Sequence, residues 1–109
     1  LSVYQALAAE LADDAELRAW VEAFVTSTET LLAEGRAAIA SGDVAVLRRV
    51  FHTVKSSSAV FGLTQISTSC VEAEARIDDE PIAAIERRLD QLAAQLAAAA
   101  EKLERMLAS

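Results

Sequence analysis

Scarcity says most about this sequence. Its 109 residues include one cysteine, one proline, one histidine and three glycines, and aromatic residues make up 5% of the chain. A single cysteine, Cys70, cannot close an internal disulfide and has no C-x-x-C partner, so a reducing, cytoplasmic setting is expected. No apolar run reaches membrane-spanning length and no charged-then-apolar export signal opens the chain, so membrane contact is not expected. Cations are outnumbered, 10 against 17 acids, and the net charge of −7 comes without a basic stripe. That balance argues against nucleic acid or an anionic lipid surface as a partner. One histidine and one cysteine, far apart and without carboxylates at ligand spacing, exclude an ordinary metal site. A Gly-rich phosphate loop, a serine nucleophile elbow and a paired-carboxylate arrangement are also missing. The chain opens on Leu1 rather than methionine, which reads as a module cut from something longer.

What is present is helical. The chain is 53% hydrophobic, mostly alanine and leucine, with β-branched residues thinly spread. That composition predicts an all-α protein, and the length suits one domain over residues 1–109. Ser2-Val3-Tyr4-Gln5 has the form of a capping box and predicts a short helix from Val3 to Leu11, with Tyr4, Leu7 and Leu11 on one side. Asp13 and Glu16 form a second such box, and the helix after it carries the stripe Leu17, Val21, Phe24, Thr28, Leu31, Gly35, Ala38. Trp20, beside that stripe, is expected to close one end of the core. Gly42 and Asp43 read as a stop and a start. The next stripe is Val44, Leu47, Phe51, Val54, Ser58, Phe61, ended by Gly62. Thr64 is expected to cap the helix that carries Ile66, Cys70, Ala73 and Ile77. Asp78-Asp79-Glu80-Pro81 marks a further boundary, with Pro81 in the first turn and three acids at the positive end of the helix dipole. The last stripe, Ile82, Ile85, Leu89, Leu92, Leu96, Ala99, Leu103, Met106, is a sustained coiled-coil-like seam. Four long helices with short corners predict an antiparallel four-helix bundle, with the short N-terminal helix capping one end. The run Ala97 to Ala100 reads as helix-forming filler and Cys70 as a small core residue.

His52 is the residue that core packing does not explain. It follows Phe51 and is therefore turned about 100° off the buried stripe. Lys55 and Ser56 follow three and four residues on, Ala59 seven on, and Arg48 and Arg49 lie one turn earlier. One imidazole thus stands on a helix flank among cations and small side chains, which suits a group that becomes negative and that another surface must approach.

The segment from His52 to Gly62, His-Thr-Val-Lys-Ser-Ser-Ser-Ala-Val-Phe-Gly, resembles the signature of histidine phosphotransfer (HPt) domains of bacterial multistep two-component relays. The family pattern is a histidine, lysine three later, usually glycine at the next position, small residues, and glycine ten after the histidine. It continues on the following helix as Ile66, Cys70, Ala73 and Glu74, with Ala73 where leucine is usual. Ser56 stands where glycine is commonest and is expected to affect partner fit or rate. The resemblance implies that His52 takes a phosphoryl group from the aspartate of a receiver domain and passes it to another receiver aspartate. Free imidazole has a pKa of about 6.5, so much of it is neutral at cytoplasmic pH, and nearby cations favour that form further. Lys55 would stabilise the carried phosphate, and Arg48, Arg49, Ser56 and Ala59 would form the receiver-docking surface. Expected partners are response-regulator receivers and a hybrid sensor histidine kinase. No cofactor is expected on this chain, which is read as a monomer, because Mg²⁺ belongs to the receiver. It would be a phosphocarrier rather than an enzyme, since 109 residues leave no room for an ATP-binding domain beside the bundle. Three other readings stay open at this stage: a non-phosphorylated helical adaptor that binds a receiver or kinase through the same face, a bundle dimerising through its last helix, and a plain helical domain with an incidental histidine.

Overall fold

The computed structural model describes residues 14–108. The predicted helix Val3–Leu11 and the capping residue Asp13 lie outside them. Within them the chain forms α1 (Asp14–Ser41), α2 (Val44–Val60), α3 (Thr64–Arg76) and α4 (Ile82–Ala108), with no strand among the described residues. Each helix packs on its two neighbours: α1 on α2 and α4, and α3 on α2 and α4. Short corners force successive helices antiparallel, so the result is an up-down-up-down bundle. No helix among the described residues is long and apolar enough to cross a membrane.

The corners follow from local chemistry. Gly42 adopts φ 72° and Gly62 φ 69°, left-handed conformations that end α1 and α2 at little cost only for glycine. Asp43 caps α2, its side chain accepting a hydrogen bond from the Val46 N–H at 3.2 Å. The start of α3 differs from expectation. Thr64 is already inside the helix, Leu63 holds the cap position without a side-chain cap, and the Thr64 hydroxyl donates to the Gly62 carbonyl instead. At the next corner the Pro81 carbonyl accepts the first bonds of α4, from the Ala84 and Ile85 N–H groups. Asp78 and Glu80 serve arginines rather than the helix dipole. Asp78 meets Arg48 at 2.8 Å, and Glu80 meets Arg88 in a two-pronged contact at 2.6 and 3.0 Å. That fork holds the Glu80 carboxyl below its ordinary value of 4.5.

Four stripes meet in one core, from Val21, Phe24 and Ala38 through Leu47, Phe51 and Val54 to Leu89, Leu92 and Leu103. Val50, absent from the predicted stripe, is fully buried. α2 packs on two neighbours and so buries two adjacent rows. Gly35 lets α1 and α4 approach closely: a Cβ there would stand 3.1 Å from both Leu89 methyls. Trp20 corrects an expectation. It is 43% exposed and lines a shallow groove between α1 and α2 with Phe24, Val60 and Phe61, because one step before Val21 turns it away from the bundle axis. Ile82, also 42% exposed, sits at the open end of the α4 seam. Within the alanine run only Ala99 reaches the core.

Candidate functional site: an imidazole and a lysine sharing one carboxylate

The site begins with α2. Phe51 and Val54 are buried, so the helix is held by its inner rows and His52 is carried outward. Its side chain is 60% exposed. The ring does not stand free. Its Nδ1 lies 3.5 Å from Glu74 Oε2, on α3. The other oxygen of that carboxylate, Oε1, lies 3.3 Å from Lys55 Nζ. One carboxylate, itself only 21% exposed, therefore bridges the imidazole and the ammonium.

The geometry of that bridge is loose. At 3.5 Å the Nδ1 contact is too long for a good hydrogen bond, and Oε1 has the Lys55 charge beside it but no aligned donor. Glu74 thus faces both the imidazole and the ammonium without locking either, and it addresses only one ring nitrogen. Among the described residues, Nε2 is the nitrogen without a carboxylate neighbour.

The expected cluster of cations is corrected by the structure. Arg48 turns to Asp78, which it contacts at 2.9 and 2.8 Å, and Arg49 turns to Glu34 on α1 at 3.1 Å. Each cation flanking His52 is therefore balanced by an acid from a neighbouring segment, and the flank is charge-neutral rather than positive. Sequence spacing shows neighbours along one helix and is blind to what the next helix brings. Ser56 and Ala59 are exposed as expected. The Ser56 hydroxyl donates to the His52 carbonyl at 3.3 Å, so it is turned back onto its own helix. Val60 and Trp20 continue this surface with exposed apolar groups.

Of the residues singled out from sequence, then, His52 and Lys55 come together, Ser56 and Ala59 share their face, and Arg48 and Arg49 diverge. Glu74 is the residue that spacing alone passed over. The usable signal was its position beside the buried stripe Cys70, Ala73, Ile77: an acid at the edge of a buried row needs a partner. Cys70 is fully buried, and burial together with the Glu74 charge pushes its thiol up to about 12 against a smaller opposing effect of Lys55, so it is no nucleophile. Among the described residues no group of three or more histidine, cysteine or acidic side chains could hold a metal.

No curated protein and no solved structure matches the sequence. The family model described as Hpt domain matches residues 19–102. That span begins in the second turn of α1, ends inside α4, and takes in both helices that meet at His52. With most of its length covered, the chain belongs to the Hpt domain family.

Proposed function

We propose that His52 is the phosphoryl carrier of this module, loaded by the aspartyl phosphate of one receiver domain and unloaded onto the aspartate of another. Family membership makes the chain a phosphotransfer module of two-component phosphorelays, a carrier and not a kinase. The observation that carries the assignment of the residue is the exposed His52 ring with a lysine at hand and one nitrogen clear of the Glu74 carboxylate.

In the transfer, the Nε2 lone pair attacks phosphorus in line with the departing aspartate oxygen. A P–N bond forms, the P–O bond to the aspartate breaks, and the carboxylate leaves with the electron pair. The Glu74 contact at Nδ1 favours the tautomer that keeps its proton there and leaves Nε2 as the nucleophile. The phosphoryl group brings about −1.5 to −2 charges if it behaves like other protein phosphates. Lys55, held at 3.3 Å and not locked, can share its charge with that group. A cation about 4 Å away is worth roughly 1 kcal/mol in water and about 4 near a desolvated surface, enough to stabilise the carried group without trapping it. The receiver supplies Mg²⁺ and the acidic pocket, so this chain works without a cofactor of its own.

The docking surface proposed for the receiver is the outer face of α2, with Ser56 and Ala59 beside His52, the apolar pair Val60 and Trp20 further on, and the paired Arg48 and Arg49 at its edge. A hybrid sensor histidine kinase is the upstream partner in this reading, and the module acts as a monomer in the cytoplasm. Incubation with a phosphorylated receiver domain tests the assignment. Acid-labile, base-stable label should appear on the wild type and be absent from His52→Gln. Label on that variant would refute the residue, and a wild type that binds the receiver but never takes label would make the module an adaptor.

A further inference from the structure

Lys55 is gripped by α3 at both ends of the residue. Its ammonium meets Glu74 Oε1 at 3.3 Å, and its backbone carbonyl accepts a hydrogen bond from the Ser67 hydroxyl, also at 3.3 Å. Ser67, Cys70 and Glu74 are spaced three and four apart, so they share the face of α3 that lies on α2. The carbonyl of Lys55 belongs to the interior of α2, where a helical N–H is its ordinary partner. A carbonyl oxygen has two lone pairs, so the Ser67 hydroxyl can add a bond without displacing the helical one. Among the described residues it makes the only side-chain hydrogen bond that joins α2 directly to α3.

The remaining contact between these helices is apolar, through residues such as Phe51, Val54, Ile66, Cys70 and Ala73. Apolar contact is non-directional and sets the depth of packing better than it sets the sliding position along the helix axis. Sliding matters here. Glu74 lies seven residues beyond Ser67, about 10.5 Å along α3, and must reach both the His52 ring and the Lys55 ammonium. A directional bond onto the backbone of Lys55 itself fixes that reach.

We propose that Ser67 is a positioning residue for phosphotransfer: its bond to the Lys55 carbonyl sets the register of α2 against α3 at which Glu74 holds the Lys55 ammonium beside the His52 ring. This rests on the assignment of His52 as the phosphorylated residue. Ser67 touches neither the ring nor the transferred group, and acts only through Lys55 and Glu74.

The full chain, as wild type and as separate Ser67→Ala, Ser67→Thr, Lys55→Ala and Ser67→Ala/Lys55→Ala variants, tests it, with a phosphorylated receiver domain as donor. Ser67→Ala should slow labelling about fivefold, the rate equivalent of one weak hydrogen bond, and Ser67→Thr, which keeps the hydroxyl, should restore it. In the Lys55→Ala background the same change should cost clearly less than it does alone, because residues acting through one another are non-additive and only the Glu74 contact with the His52 ring is left to disturb. Wild-type rates in Ser67→Ala, no rescue by threonine, or slowing that adds in full to that of Lys55→Ala would each overturn the proposal. The ring-nitrogen chemical shifts of His52, read by NMR without any receiver, should move in Ser67→Ala and return in Ser67→Thr. A labelling reaction that fails on the wild type would therefore count against the relay assignment, while unmoved shifts would count against the register.

Discussion

The α4 seam and the α2–α3 contact solve the same packing problem with different materials. Along α4 the buried row is aliphatic from Ile85 through Leu89, Leu92 and Leu96 to Leu103, broken only by Ala99. Along the α2–α3 contact, polar groups stand at the edge of the buried row: Ser67 on the Lys55 carbonyl, and Glu74 between Lys55 and His52. The first gives stability that any well-fitting set of apolar side chains could supply. The second gives direction, since a carboxylate and a hydroxyl act only at particular atoms. A carrier needs both, and this fold keeps them on separate contacts, so the chemistry can change without loosening the bundle.

Breaking the seam should have the largest effect. Leu89→Ala removes a fully buried side chain opposite Gly35, which has no Cβ to fill the space. A loss of about 3–5 kcal/mol in chemical denaturation is expected, and a loss well below that range would mean that α1 and α4 collapse onto the gap. Breaking the polar contact should show the opposite profile. Lys55→Ala should slow phosphotransfer roughly tenfold, equivalent to about 1.4 kcal/mol, while unfolding stability changes by less than about 1 kcal/mol. Equal transfer rates would take Lys55 out of the mechanism. A large loss of stability would make it a structural residue and erase the division between the two contacts.

The smallest effect concerns the corner that joins them. Glu80 has its folded-state carboxyl held low by the Arg88 hydrogen bonds, so its contribution is complete above the unfolded value of 4.5 and fades as pH falls through the lower folded value. Wild-type stability should therefore drop on acidification below about pH 4.5, and Glu80→Gln should flatten part of that limb. An identical acid limb in the variant would show that the Arg88 contact contributes nothing to the corner. Since the pair is only partly buried and still reached by solvent, the difference is expected to be modest.

How far all this could be read from sequence depended on the range of each interaction. The stripe on α4 was legible because a helix repeats every 3.6 residues and the apolar positions kept step with it. Gly42, Asp43 and Gly62 were legible because each acts on its own turn. Trp20 was misjudged because a large apolar residue next to a stripe reads the same whether it turns inward or outward. Thr64 was misjudged by one position, since the chain turned at Leu63 through backbone bonds and the Thr64 hydroxyl went to the Gly62 carbonyl instead of capping the helix. The arginines beside His52 looked like a positive patch only while Asp78 and Glu34 were out of sight on other segments.

From the sequence alone came the helices, their buried rows, and a histidine turned away from packing, because all of these are set within a few residues of chain. Which carboxylate stands beside that histidine, and that every neighbouring cation already has a partner, was decided only when α1, α2, α3 and the corner after α3 came together. Contacts between helices depend on how far one has slid and turned against the next, and no spacing along a single strand of sequence encodes that displacement directly.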